Sequence, residues 1–117
     1  MNIPARKSTL KLTHFGRKSG KPFDVTIWFT VIGGDLWIGS LDESRNWVKN
    51  LRETRRARID FGDGPTDVVA EPSRGANDLA RYREAIATKY PVLSRIIGLF
   101  VRGKTAAVFR VEPAKNA

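Results

Sequence analysis

Cysteine is absent from this chain, and histidine occurs once. Disulfides and thiolate metal sites are therefore excluded, and a single imidazole falls short of the ligand set that zinc takes. Asp24, Asp35, Asp42 and Glu43 do not recur at metal-ligand spacing, so no metal is expected. There is no Gly-x-Ser-x-Gly elbow, and His14 has no partner motif beside it, which leaves no hydrolase constellation. A lone histidine on a strand reads as structural. Freedom from cysteine suits a reducing cytoplasm. Arg6 and Lys7 interrupt the segment before Leu10, so no signal-peptide core is expected there. The most apolar run, residues 92–101, is about half a membrane span and contains Arg95. The expectation is a cytoplasmic protein without a membrane span.

Acidic side chains are scarce too: 12 Asp and Glu stand against 21 Lys and Arg, for a formal net charge of +9. That balance attracts anions, whether nucleic acid, a membrane surface or a polyanionic small molecule. The cations fall in two groups. One is Arg6, Lys7, Lys11, Arg17, Lys18 and Lys21; the other is Arg45, Lys49, Arg52, Arg55, Arg56 and Arg58. If the groups meet in space they form a rim for a long anionic tail; if not, they are solubilising surface.

A length of 117 residues supports one domain, residues 1–117, with tails at 1–7 and 113–117. Residues 8–14 alternate, with Leu10 and Leu12 on one face. Residues 23–32 form the cleanest strand, Phe23, Val25, Ile27, Phe29 and Val31 opposing Asp24, Thr26, Trp28 and Thr30. Gly33-Gly34-Asp35 signals a hairpin, and residues 36–40 return. Gly39 either weakens that strand or marks close approach by a flat ligand or another backbone. Asp42 or Ser44 can cap a helix ending near Arg52, with Trp47, Val48 and Leu51 as its buried stripe. Residues 56–61 and 66–71 read as strands, and Pro72 to Gly75 breaks the pattern. A helix from Asn77 carries Leu79, Tyr82, Ile86 and Tyr90. Pro91 opens a second helix with Leu93, Ile96, Ile97 and Phe100, and residues 105–111 form a last strand. Six short strands joined mostly by hairpins, with helices after the third and before the last, predict an α+β fold. Its sheet is a small closed or half-open barrel, since closure hides the edges of so short a sheet.

The turn Gly16-Arg17-Lys18-Ser19-Gly20-Lys21-Pro22 lies between the first two strands. Its glycines allow positive φ and Pro22 pre-sets the next strand. Cations, a hydroxyl and free amides on so tight a loop suit a phosphate or carboxylate. The loop is not a P-loop, because the spacing is wrong and a strand follows rather than a helix. Nucleic-acid binding rests on the charge, with Trp28, Trp37 or Phe23 as the only stacking candidates and no helix-turn-helix, zinc-finger or RNA-recognition signature. No specific nucleic-acid partner is expected.

Taken in order, Leu12-Thr13-His14-Phe15-Gly16-Arg17-Lys18-Ser19-Gly20-Lys21-Pro22, Trp28, Ile38-Gly39-Ser40 and Asn46-Trp47-Val48-Lys49-Asn50-Leu51 resemble the deazaflavin-dependent nitroreductase and quinone reductase family. The resemblance implies a six-stranded split β-barrel of the FMN-binding, flavin-reductase-like type that uses coenzyme F420. It places Arg17, Lys18 and Ser19 on the cofactor's phosphate-bearing tail. The backbone of Ile27 and Trp28 would lie along the deazaflavin ring, with Ile38, Gly39 and Ser40 on the other side of that pocket. Asn46, Trp47 and Asn50 would close over it. Ser40 is implied as a hydrogen-bond partner near the reacting face, and Tyr90 or Tyr82 as a proton donor. Some family positions differ: Phe23 stands where Arg is common, Val48 replaces Tyr, and Leu93 and Ile96 replace two late tyrosines.

The function implied is a deazaflavin-dependent oxidoreductase, passing hydride from reduced F420 to a small electrophilic acceptor such as a quinone, nitro compound or activated double bond. A cofactor that carries the hard chemistry accounts for the missing acid–base constellation. Two alternatives keep the barrel: an FMN-binding reductase whose FMN phosphate uses the same loop, or a non-catalytic carrier of an apolar or anionic ligand. A half-open barrel edge would also favour a homodimer.

Overall fold

Alternation places every second side chain of a strand on one face, and here that face is the inside of a barrel. The computed structural model describes residues 1–73, 75–92 and 106–114. In chain order the elements are β1 (Thr9–Phe15), β2 (Pro22–Ile32), β3 (Asp35–Ser40), α1 (Asn46–Thr54), β4 (Arg56–Asp60), β5 (Pro65–Ser73), α2 (Ala76–Lys89) and β6 (Ala107–Pro113). The strands are antiparallel in the order β1-β2-β3-β6-β5-β4, and β4 pairs back onto β1 with Leu12 opposite Ile59. The barrel is closed. Every strand has two neighbours, so of the two expected forms, closed and half-open, the described residues show the closed one.

Two apolar cores result among the described residues. Inside the barrel, Leu10, Leu12, Ile27, Phe29, Ile38, Ile59 and Phe109 meet, and α1 adds Trp47, Val48 and Leu51. Each such side chain contributes roughly 1.5–3 kcal/mol on burial. The second core lies outside the wall, where Tyr82, Ile86 and Tyr90 cover Trp37 and Val108 beside Trp28. The β2 face that alternation marks as outward is therefore wet at Asp24 and Thr26 but covered at Thr30, against which α2 is laid.

Some details depart from the sequence-based expectation. Neither Asp42 nor Ser44 caps α1: the N-cap is Arg45, with no side-chain bond to the helix. Asp42 Oδ1 instead accepts from the amide and hydroxyl of Ser44, which spends both candidates on the preceding turn. The helix ends on Arg55, whose φ of 58° lets its amide bond to the Leu51 carbonyl before the chain enters β4. Pro72 does not break its strand. Beyond Val69, β5 is paired only with β6, and an unpaired flank tolerates a missing donor. The helix expected after Pro91, with Leu93, Ile96, Ile97 and Phe100, lies outside the described residues. The last strand is described from Ala107 and runs to Pro113, into the expected tail. No helix among the described residues is long and apolar enough to cross a membrane.

Candidate functional site

Between β1 and β2 the chain reverses over a turn that closes on itself. Gly16 N–H donates to the Lys21 carbonyl at 2.9 Å, and Gly20 N–H to the Gly16 carbonyl at 2.8 Å. Ser19 Oγ accepts from the Lys21 amide at 3.2 Å, which leaves its own proton available. A Cβ on Gly16 would lie 2.5 Å from that hydroxyl, which would have to swing aside to admit it.

The first turns of α1 are brought against this loop, and Asn50 joins them. It is 4% exposed, and its Oδ1 accepts from the Arg17 amide at 3.1 Å and from Arg17 Nη1 at 2.8 Å. Its Nδ2 faces His14 Nδ1 at 2.9 Å. His14 is 6% exposed and stacks on Phe23 with ring centroids 5.7 Å apart. Burial holds the His14 pKa below the ordinary histidine value, with Asp24 pulling the other way.

These groups surround an open cleft of about 520 Å³, lined among others by Arg17, Lys18, Ser19, Phe23, Arg45, Asn46, Trp47 and Asn50. Its one carboxylate, Asp24, accepts the Thr13 hydroxyl at 2.6 Å, and neither Lys18 nor Arg45 has an ion-pair partner among the described residues. The two basic groups of the sequence thus meet here, through Arg45. Most of the second group is spent elsewhere. Arg52 pairs with Glu43 at 3.1 Å, Arg55 with Glu71 at 3.4 Å and Arg58 with Asp67 at 2.9 Å. Arg56 and Arg58 lie over the Phe15 ring.

Of the residues expected at the site, Arg17, Lys18, Ser19, Asn46, Trp47 and Asn50 come together. Ile27, Trp28, Ile38, Gly39, Ser40 and Tyr90 do not line this cleft. Ile27 and Ile38 are barrel core. Trp28 stacks on Tyr90 at 5.0 Å with rings 17° apart, which covers one face of its indole. The approach that Gly39 permits is by protein: an added Cβ would meet the Ala107 carbonyl at 2.7 Å and Tyr82 Cζ at 2.8 Å. Ser40 Oγ donates to the Asp42 carbonyl at 2.9 Å and accepts the Asp42 amide at 3.0 Å, so it ties β3 to the next turn. The Tyr90 hydroxyl is directed at the Ser8 and Phe29 carbonyls, 2.5 and 2.9 Å away, and burial raises its pKa. Burial also holds the Tyr82 phenol far above the ordinary tyrosine range. Sequence reading missed His14, Phe23 and Arg45 as cleft residues. The available signal was His14 itself, which continues the inward alternation of Leu10 and Leu12 up to the basic turn.

Over residues 2–96 the chain matches the family described as F420H(2)-dependent quinone reductase. It belongs to that family. As a member it is an F420-dependent oxidoreductase, and coenzyme F420 is its cofactor. The fold is shared more widely. A conserved hypothetical protein from Mycobacterium tuberculosis is 20% identical with a TM-score of 0.69, the match covering 93% of this chain and 74% of that one. An F420-H2 dependent reductase is 20% identical with a TM-score of 0.70, covering 91% of this chain and 95% of that one. A heme storage protein from Vibrio cholerae is 15% identical with a TM-score of 0.72, covering 93% and 83%. At such identities the likeness concerns the split-barrel fold alone. No curated protein matches the chain. The cleft suits the F420 tail: it sets three cations against one carboxylate beside a glycine-bearing turn, with Phe23 and Trp47 as apolar wall.

Proposed function

We propose that this protein reduces a small electrophilic acceptor, such as a quinone, a nitro compound or an activated double bond, at the expense of reduced coenzyme F420. The observation that carries this reading is the cationic cleft built on the 16–22 turn. Arg17, Lys18 and Arg45 line it, and Asn50 fixes the first of them. When bound, the cofactor supplies the hydride chemistry. The protein's part is to bind and to shield. Arg17, Lys18 and Arg45 hold the acidic tail through charge-assisted bonds, and the Ser19 hydroxyl adds a donor. Exposed Phe23 offers flat apolar surface beside those cations, and buried Trp47 lines the cleft behind it. Asn46 stands at the start of α1, on the same wall. Ser40 and Tyr90 act in this reading as parts of the frame, because their hydroxyls are committed to backbone groups.

A fluorescence titration with coenzyme F420 tests it, with FMN titrated in parallel. Lys18→Ala is expected to weaken F420 binding roughly tenfold, as loss of one charge-assisted contact does. Lys18 is exposed, so thermal stability should not change. Equal affinity in the variant and the parent would rule out the turn as the anion site.

A further inference from the structure

The cleft rests on the orientation of one amide. Asn50 Oδ1 lies 3.1 Å from the Arg17 amide nitrogen and 2.8 Å from Arg17 Nη1. Both are donors, so oxygen must face Arg17 and Nδ2 must face away from it. Away from Arg17 is His14 Nδ1, at 2.9 Å. Since Nδ2 only donates, Nδ1 must accept, and the imidazole is neutral with its proton on Nε2. We infer that His14 is a positioning residue for the basic turn: its Nδ1 lone pair holds the Asn50 amide in the one orientation that pins Arg17, and a proton on Nδ1 releases it. The inference deepens the reading of the cleft as the F420 anion site and rests on that reading.

With Nδ1 protonated, two donors face each other across a buried contact. Rotating the amide half a turn satisfies His14 but sets Nδ2 against the two Arg17 donors. No orientation serves both sides, so acidification leaves one buried partner unsatisfied. The surroundings keep the ring neutral. Asp24 on β2 is the one acid close enough to favour a proton, and its carboxylate already accepts from Thr13. Arg17, Lys18 and Arg45 line the same cleft from the turn and from α1 and bring no charge that would favour the proton. On the remaining side β4 sets Ala57 opposite His14 and holds Arg56 and Arg58 over the Phe15 ring. A competing effect has the opposite sign. A charged His14 would by itself draw anions into the cleft as the pH falls. Release of Arg17 weakens their binding, so the sign of the pH slope separates the two.

The test is an NMR titration of the full chain, labelled with nitrogen-15, from about pH 8 to about pH 5, across the ordinary histidine pKa. Sulfate is the anion probe, because its charge is constant over that range. His14 is expected as the Nε2–H tautomer, and the Arg17 amide resonance should move with the same midpoint as the imidazole. Sulfate affinity should fall roughly tenfold through that midpoint, the size of one lost buried hydrogen-bond arrangement. His14→Asn presents an Oδ1 in place of Nδ1 and does not titrate, so it should hold affinity within about twofold and flatten the slope. His14→Leu should give the weakened value at every pH. An Nδ1–H tautomer, an Arg17 amide indifferent to His14, or sulfate binding that tightens on acidification would each overturn the inference. None of these readouts needs the coenzyme. A protein that ignored F420 yet showed them would sink the proposed function and leave the His14 relay standing.

Discussion

Replacing Gly39 with alanine asks whether that glycine serves the fold or a ligand. The new Cβ would sit 2.7 Å from the Ala107 carbonyl oxygen and 2.8 Å from Tyr82 Cζ, against an ordinary separation of about 3.5–4.0 Å. The Tyr82 ring can tilt away, but the carbonyl cannot. It belongs to the β3–β6 ladder, in which Ser40 opposes Ala107 and Gly39 opposes Val108. Overpacking of this kind costs about 1–3 kcal/mol. Alanine recovers about 0.4–1 kcal/mol by restricting the unfolded chain. At mid-range the two leave a net loss of about 1.3 kcal/mol (about 0–2.6 at the extremes), or a Tm lower by roughly 4–8 °C for a chain of this size. Thermal unfolding followed by circular dichroism, without coenzyme, measures it. Adding Tyr82→Leu should recover only part of the loss, since the carbonyl contact remains. An unchanged Tm together with collapsed F420 affinity would refute the argument and return Gly39 to the ligand.

The other predictions concern the polar groups. Asn50→Ala strands the Arg17 donors and His14 Nδ1, so urea denaturation should show a loss of about 1–3 kcal/mol together with weaker F420 binding; retention of both would contradict the geometry. Asn50→Asp keeps the Arg17 bonds, but its carboxylate favours the imidazolium, so the His14 midpoint should rise above that of the parent when read by NMR. Tyr90→Phe should cost about 1 kcal/mol, keep the stack on Trp28 and leave turnover intact; a collapse of kcat would restore Tyr90 as proton donor. Folded His14 takes up its proton at lower pH than the unfolded chain, whose value is 6.5. Its contribution to stability is therefore whole above about pH 6.5 and is lost as the pH falls through the folded-state value. Denaturation midpoints across that window should show the slope, and His14→Asn should remove it.

Much of the barrel was legible because it is written locally. Leu10 and Leu12, or Ile27 and Phe29, announce a buried face by spacing alone, and the pleat enforces it. The same rule misplaced Phe23, which is 48% exposed because β2 begins at the rim beside the cleft, where no core lies under it. It also gave Trp28 and Thr30 to the outer face without saying that α2 covers them. Periodicity reports a side and is silent on what lies against it. Closure, too, was open to doubt, since the β4–β1 pairing joins strands separated by two others and a helix.

The candidate site divides along the same line. Glycine, proline and cation content marked residues 16–22 as a candidate anion-binding turn, because backbone freedom and charge belong to the residues themselves. Selecting among the remaining candidates needed distances. Gly39 packs against Ala107 and Tyr82 and Ser40 bonds to Asp42, while Asn50, apart from Arg17 by 33 positions and from His14 by 36, braces the cleft. Local conformation is set within a few residues, so the chain states it outright. Which donor meets which acceptor across a closed barrel depends on the register of every strand between them, and that exists only once the chain has folded.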